Sequence, residues 1–117
     1  MAMTTGNFPI VDAHQHFWDL SLAKHPWLMG PPIPFRYGDY TALRNSYLLE
    51  DYRADWGTHE IVQSVYVETE WDARDPVGET QWVTQYAAQH GLPSGVVAQA
   101  WLNRADVFFY LADWTHW

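Results

Sequence analysis

The hydrophobic pattern changes period repeatedly along the chain. Residues 8–17 open on Pro9, Ile10 and Val11 and continue as Asp12-Ala13-His14-Gln15-His16, an apolar entry into alternating polar positions that predicts a strand with a polar end. The stretch 18–38 carries Pro26, Pro31, Pro32 and Pro34 with Gly30, and is expected to form a long loop, because proline withholds a backbone donor from regular structure. Ser46 then reads as the cap of a helix through Leu48, Leu49, Tyr52 and Ala54 to about Trp56, with Gly57 as its stop. Residues 61–68, rich in β-branched side chains, predict a second strand that ends in the acidic group Glu68, Glu70 and Asp72. Asp75-Pro76 suits a helix start, and Val83, Tyr86 and Ala87 keep helical spacing up to His90 and Gly91. A short strand over 96–101 and a last helix from Asn103 through Leu111 complete the pattern.

The order strand, helix, strand, helix, strand, helix predicts an α/β fold in which helices serve as crossovers between parallel strands. Residues 1–117 read as a single domain of about three β/α units without internal repeats. A closed barrel of such units takes about 250 residues and eight units, so the expectation is an incomplete one.

Composition narrows the class. Hydrophobic residues make up 48% of the chain and aromatic residues 17%, with eight Trp and seven Tyr, enough ring surface to demand a packed core. Six Lys and Arg against fourteen Asp and Glu give a net charge of -8, which removes the phosphate-neutralising force behind nucleic-acid binding. With no Cys there is neither a disulfide framework nor a thiolate metal site, which fits a cytoplasmic protein and leaves imidazole and carboxylate as metal donors. No signal-like opening and no run of ~20 apolar residues occur, so no membrane partner is expected.

The candidate chemistry starts with His14 and His16. Two apart on a strand, they point to one face at the end where parallel α/β sheets build their sites, and two neutral imidazoles can share a divalent ion, zinc or manganese. Asp12 has the same parity and is expected to orient one of them. Chance spacing on a surface strand is the competing reading, and a catalytic zinc commonly needs a third protein ligand. Glu68, at the mouth of the second strand, is a catalytic candidate for contact with metal, water or substrate, or else a solvated rim carboxylate. Trp27 and His25 are candidate substrate-binding residues in the loop that can fold over the site, with packing the alternative for Trp27. Glu70 and Asp72 read as rim charges, His59 and His90 as helix-end residues, and His116 belongs to a tail without an assignment.

Val11-Asp12-Ala13-His14-Gln15-His16-Phe17-Trp18-Asp19, followed by His25-Pro26-Trp27-Leu28, resembles the start of the amidohydrolase-related family of metal-dependent TIM-barrel hydrolases, especially its sugar-lactonase branch. Val67-Glu68-Thr69-Glu70-Trp71-Asp72 with Asp75-Pro76-Val77-Gly78-Glu79-Thr80 resembles the second strand and second helix of the same proteins, so the likeness spans about residues 8–102. It implies a partial (β/α)8 barrel in which His14 and His16 are metal ligands of the first strand, serving hydrolysis of a small lactone or other cyclic ester or amide bond. It also implies that the further ligands and the acid that handles water lie on later strands, which no residue here matches.

From Asn103 the resemblance fades, and Val107-Phe108-Phe109-Tyr110-Leu111 would cover every side of a helix with apolar groups. The expectation is a truncated hydrolase, active or inactive as a fragment, that self-associates through its sheet edges. A non-catalytic binding or assembly module and one half of a split enzyme are the competing readings.

Overall fold

The computed structural model describes residues 8–34 and 38–114. Strands β1 (Pro9–Gln15), β2 (Glu60–Val67) and β3 (Gly95–Val97) form one parallel sheet in the order β1-β2-β3. A single helical turn, α1 (Pro26–Met29), and the helix α2 (Leu49–Asp55) lie between β1 and β2. The helix α3 (Gly78–His90) joins β2 to β3, and α4 (Val107–Trp114) follows. The expected α/β class with parallel strands and helical crossovers is what the chain forms.

Both crossover helices pack on one face of the sheet. Phe17 from the end of β1, Leu49 and Tyr52 from α2, Tyr66 from β2, Val83 from α3 and Leu92 form a single buried cluster. Tyr66 and Phe17 are its largest fully buried side chains, and the rings of Phe17 and Tyr52 meet edge to face at 5.7 Å. On the opposite face Val11 and Val97 are half exposed, because no layer of described residues covers it.

Boundaries depart from the sequence reading where a side chain found a different partner. Ser46 does not cap α2: its Oγ accepts from the Leu20 N–H at 2.9 Å, while Asp51 Oδ2 takes the Leu48 N–H at the helix entry. The Asp75 carboxylate likewise does not cap α3 but takes Lys24 Nζ (2.9 Å) and Trp71 Nε1 (3.2 Å), and the helix starts at Gly78. At the far end of α3 the expected glycine stop is present, Gly91 adopting a left-handed φ of 92° and donating to the Ala87 carbonyl. Strand β3 ends at Val97, earlier than expected, since Gln99 turns inward and is buried. The last helix begins at Val107, not Asn103, because Arg104 and Asp106 pair at 3.0 Å across the preceding turn. The loop after β1 is partly ordered: residues Leu20–Leu22 make a 3-10 turn, and Pro26 starts α1 instead of only breaking structure.

Among the described residues nothing pairs with the outer edges of β1 and β3, and open edges with exposed valines invite strand addition. Gel filtration at rising micromolar concentration is expected to show self-association, and Val97→Lys to reduce it. Concentration-independent elution of the wild type as a monomer contradicts this.

Candidate functional site

The carboxyl end of β1 carries an irregularity that shapes the site. Asp12 pairs with Ser64 and Gln15 with Tyr66, so β1 spends two residues, Ala13 and His14, where β2 spends only Val65. Such a bulge re-aims side chains. Here the His14 and His16 rings lie 5.0 Å apart, edge to face. The two predicted ligands are therefore together at the strand end.

The same bulge breaks the parity expected for Asp12. Its register partner Ser64 is fully buried on the helix face, and its Oδ2 accepts a 2.5 Å hydrogen bond from the Tyr52 hydroxyl while Oδ1 accepts from the His14 backbone N–H at 3.1 Å. Burial, with the Asp12 carboxylate beside it, raises the Tyr52 phenol well above its ordinary range, so it stays a donor. Asp12 thus fixes the bulge backbone and takes no imidazole N–H.

His16 is oriented from elsewhere. Its Nδ1 lies 2.8 Å from the Val67 carbonyl at the end of β2. A carbonyl can only accept, so Nδ1 carries a proton, and in the neutral ring the lone pair is then on Nε2, the tautomer a metal ligand needs. The rings of His16 and Trp18 stack at 6.4 Å.

Two clefts meet at His16. One, of about 270 Å³, is lined by His16, Trp18, Trp27, Glu68 and Glu70. The other, of about 380 Å³, is lined by His14, His16, Tyr47 and Asp55 among others. Glu68 and Trp27 therefore share a cleft with His16. The Glu68 carboxylate accepts from the Glu70 N–H at 2.8 Å, and Glu70 holds a left-handed φ of 54°, a conformation that costs a non-glycine residue energy and is met at functional turns. Trp27 donates from Nε1 to the Thr69 carbonyl at 2.8 Å, which leaves its ring as cleft wall. Asp72 is bound to Arg74, which holds its carboxyl well below the usual range. His90 is exposed at the end of α3, whereas His59, also exposed, lies beyond the turn that follows α2 and directly precedes β2; His116 lies outside the described residues.

His25 is fully buried beneath the loop. Its Nε2 meets Thr69 Oγ1 at 2.8 Å and its ring stands edge-on to Trp71. Burial outweighs the attraction of Asp19 and lowers its pKa from 6.5 to about 4. In this arrangement His25 faces protein, not cleft.

The sequence reading gave no role to Thr69, Glu79 or Gln99. Glu79, buried in the first turn of α3, accepts at Oε1 from the Tyr66 hydroxyl (2.7 Å), the Thr69 N–H (2.8 Å) and the Thr69 hydroxyl (2.8 Å), and at Oε2 from Gln99 Nε2 (3.3 Å). The available signal was positional: Glu79 stands four residues before Val83, on the apolar stripe of its helix, where a carboxylate must find donors.

As a metal centre the pair is a partial donor set. Two adjacent imidazoles, one with its tautomer fixed by a carbonyl, suit a borderline divalent ion. Among the described residues no group of three or more His, Asp or Glu comes together to hold one. No helix of the described residues is long and apolar enough to cross a membrane.

No protein-family model matches the chain, and no solved structure matches it. It is 40% identical over 98 residues to the uncharacterized protein y4mH of Sinorhizobium fredii, an alignment that covers 84% of this chain and 33% of that protein. The chain thus spans about a third of the length of the curated relative it matches.

Proposed function

We propose that this chain is part of a metal-dependent hydrolase of the amidohydrolase-related family, built on a TIM barrel, in which His14 and His16 are two nitrogen ligands of a divalent ion, zinc or manganese. The observation that supports it most is the pair of imidazoles 5.0 Å apart at the carboxyl end of a parallel sheet, with the Val67 carbonyl holding the proton of the neutral His16 ring on Nδ1 so that Nε2 is its metal-binding nitrogen. A bound ion of this kind polarises an ester carbonyl and makes water a nucleophile near neutral pH. The chain's own residues would do the rest locally: Trp18 and Trp27 form an apolar wall for a small cyclic substrate, and Glu68 accepts a hydrogen bond from a substrate hydroxyl or from water. The substrate class is a lactone, sugar lactones in particular.

Among the described residues no third His, Asp or Glu joins the pair; a donor supplied by a second polypeptide would make a split or assembled enzyme, the second reading. Calorimetric titration with zinc and with manganese tests the site. The wild type is expected to bind one ion, and His14→Ala or His16→Ala to weaken binding by at least about tenfold, roughly 1.4 kcal/mol. Equal binding by all three proteins sinks the assignment. Metal binding without hydrolysis of gluconolactone favours a non-catalytic module.

A further inference from the structure

We propose that Glu79 is a positioning residue for His16, acting through the segment 66–69 to hold the carbonyl that orients the imidazole. The inference rests on the reading of His16 as a metal ligand, and its geometry is independent of any ion.

The peptide unit between Val67 and Glu68 is held at both polar ends. Its carbonyl accepts from His16 Nδ1 at 2.8 Å, and its N–H donates to the Val97 carbonyl of β3 at 2.9 Å. The residues on either side of this unit, Tyr66 and Thr69, both donate to the same oxygen, Glu79 Oε1, within 2.8 Å. The other oxygen of the carboxylate takes Gln99 Nε2, two residues beyond Val97. One buried carboxylate therefore brackets the Val67–Glu68 peptide from β2, from the turn after it and from the chain leaving β3. If that peptide rotates, the Val67 carbonyl leaves His16 Nδ1, and the ring loses both its direction and its tautomer preference.

Thr69 extends the same clamp to the loop over the cleft. Its hydroxyl proton goes to Glu79 at 2.8 Å, so toward His25 Nε2 it can only accept, and its carbonyl takes Trp27 Nε1. Both walls of the smaller cleft are thereby tied to Glu79, Glu68 and Glu70 flanking Thr69 in sequence and Trp27 bonding to it.

The test uses ring nitrogen NMR of His14 and His16 at about pH 8, combined with zinc titration and thermal melting, on the wild type and on Glu79→Ala. In the wild type the His16 signals are expected to report one tautomer, with Nδ1 protonated. Glu79→Ala is expected to give His16 a mixture of tautomers, to leave the His14 ring as it was, and to weaken zinc binding by about tenfold or more, the usual range for groups that orient a ligand. Glu79→Gln keeps an oxygen acceptor at this point and is expected to restore most of the His16 signature. Should Glu79→Ala fail to fold, Tyr66→Phe removes one bracketing donor and is expected to move His16 in the same direction. A wild type that binds no zinc, with the tautomer change still seen, refutes the metal reading and sustains the positioning role. Loss of amide protection at Thr69 with His16 unchanged, in Glu79→Ala or in Tyr66→Phe, reduces Glu79 to a structural buried acid and overturns the inference.

Discussion

Phe17→Ala is expected to lower the stability of the chain by about 3–5 kcal/mol, the usual cost of emptying a buried aromatic site. Phe17 is fully buried and faces Tyr52, Tyr66 and Tyr86 with ring centres 5.5 to 6.5 Å apart. Removing the ring leaves those three without a common neighbour, and each carries a hydroxyl already committed elsewhere: Tyr52 to Asp12, Tyr66 to Glu79, Tyr86 to the Leu49 N–H. The neighbours cannot close over the gap without breaking hydrogen bonds, so the value belongs near the top of its range. Set against the roughly 5–15 kcal/mol that holds a small domain together, this lowers the melting temperature by about 12–20 °C or prevents folding. Phe108→Ala is the control: Phe108 is 78% exposed, and its loss is expected to change stability by no more than about 0.5 kcal/mol. Melting followed by far-ultraviolet circular dichroism compares the two, and similar shifts for both refute the core assignment. Because Phe17 directly follows His16, the variant is also expected to lose the ordered His pair before it loses the helices.

The contrast between these phenylalanines shows what local pattern conveys. Residues 61–68 and the helix ending at Gly91 are legible because each obeys a single period and carries its own stop signal. His14 and His16 are legible as a pair for the same reason, since spacing on a strand determines the shared face. The bulge beside them is not, because it depends on register against β2, a partner some fifty residues away. Asp12 shows the consequence: strict alternation assigned it to the histidines, and one extra residue in the strand gave it to Tyr52. Ser46 and Asp75 were read as caps, yet each found a distant partner, Leu20 and Lys24, that local propensity does not register. The Glu79 hub was legible only as a carboxylate on an apolar stripe. Its four donors come from β2, the following turn and the segment after β3, a convergence that exists only once the sheet has formed.

Acidification is expected to weaken the fold through His25, in a window its environment defines. The ring is buried, and its pKa falls from 6.5 to about 4 chiefly because burial penalises the imidazolium, Asp19 opposing this only in part. The unfolded chain therefore takes up a proton at this position near pH 6.5 that the folded chain refuses until about pH 4. Stability is complete above pH 6.5, declines by up to about 1.4 kcal/mol per pH unit below it, and stops declining through this residue near pH 4, a total of about 3 kcal/mol. Glu79 acts in the opposite sense. Burial raises its pKa despite the hydrogen bonds from Tyr66 and Thr69, so the folded chain accepts a proton there more readily than the unfolded one, and this offsets part of the loss as pH falls through the raised value. His25→Gln separates the two, since glutamine offers an N–H to Thr69 Oγ1 without titrating. Urea unfolding from pH 7.5 down to 4 is expected to show the wild-type and variant curves converging as the pH falls, the wild type losing about 3 kcal/mol more than the variant. Parallel curves mean that His25 is reached by solvent and charges freely in the folded chain, and the closed loop over Thr69 is then open in solution.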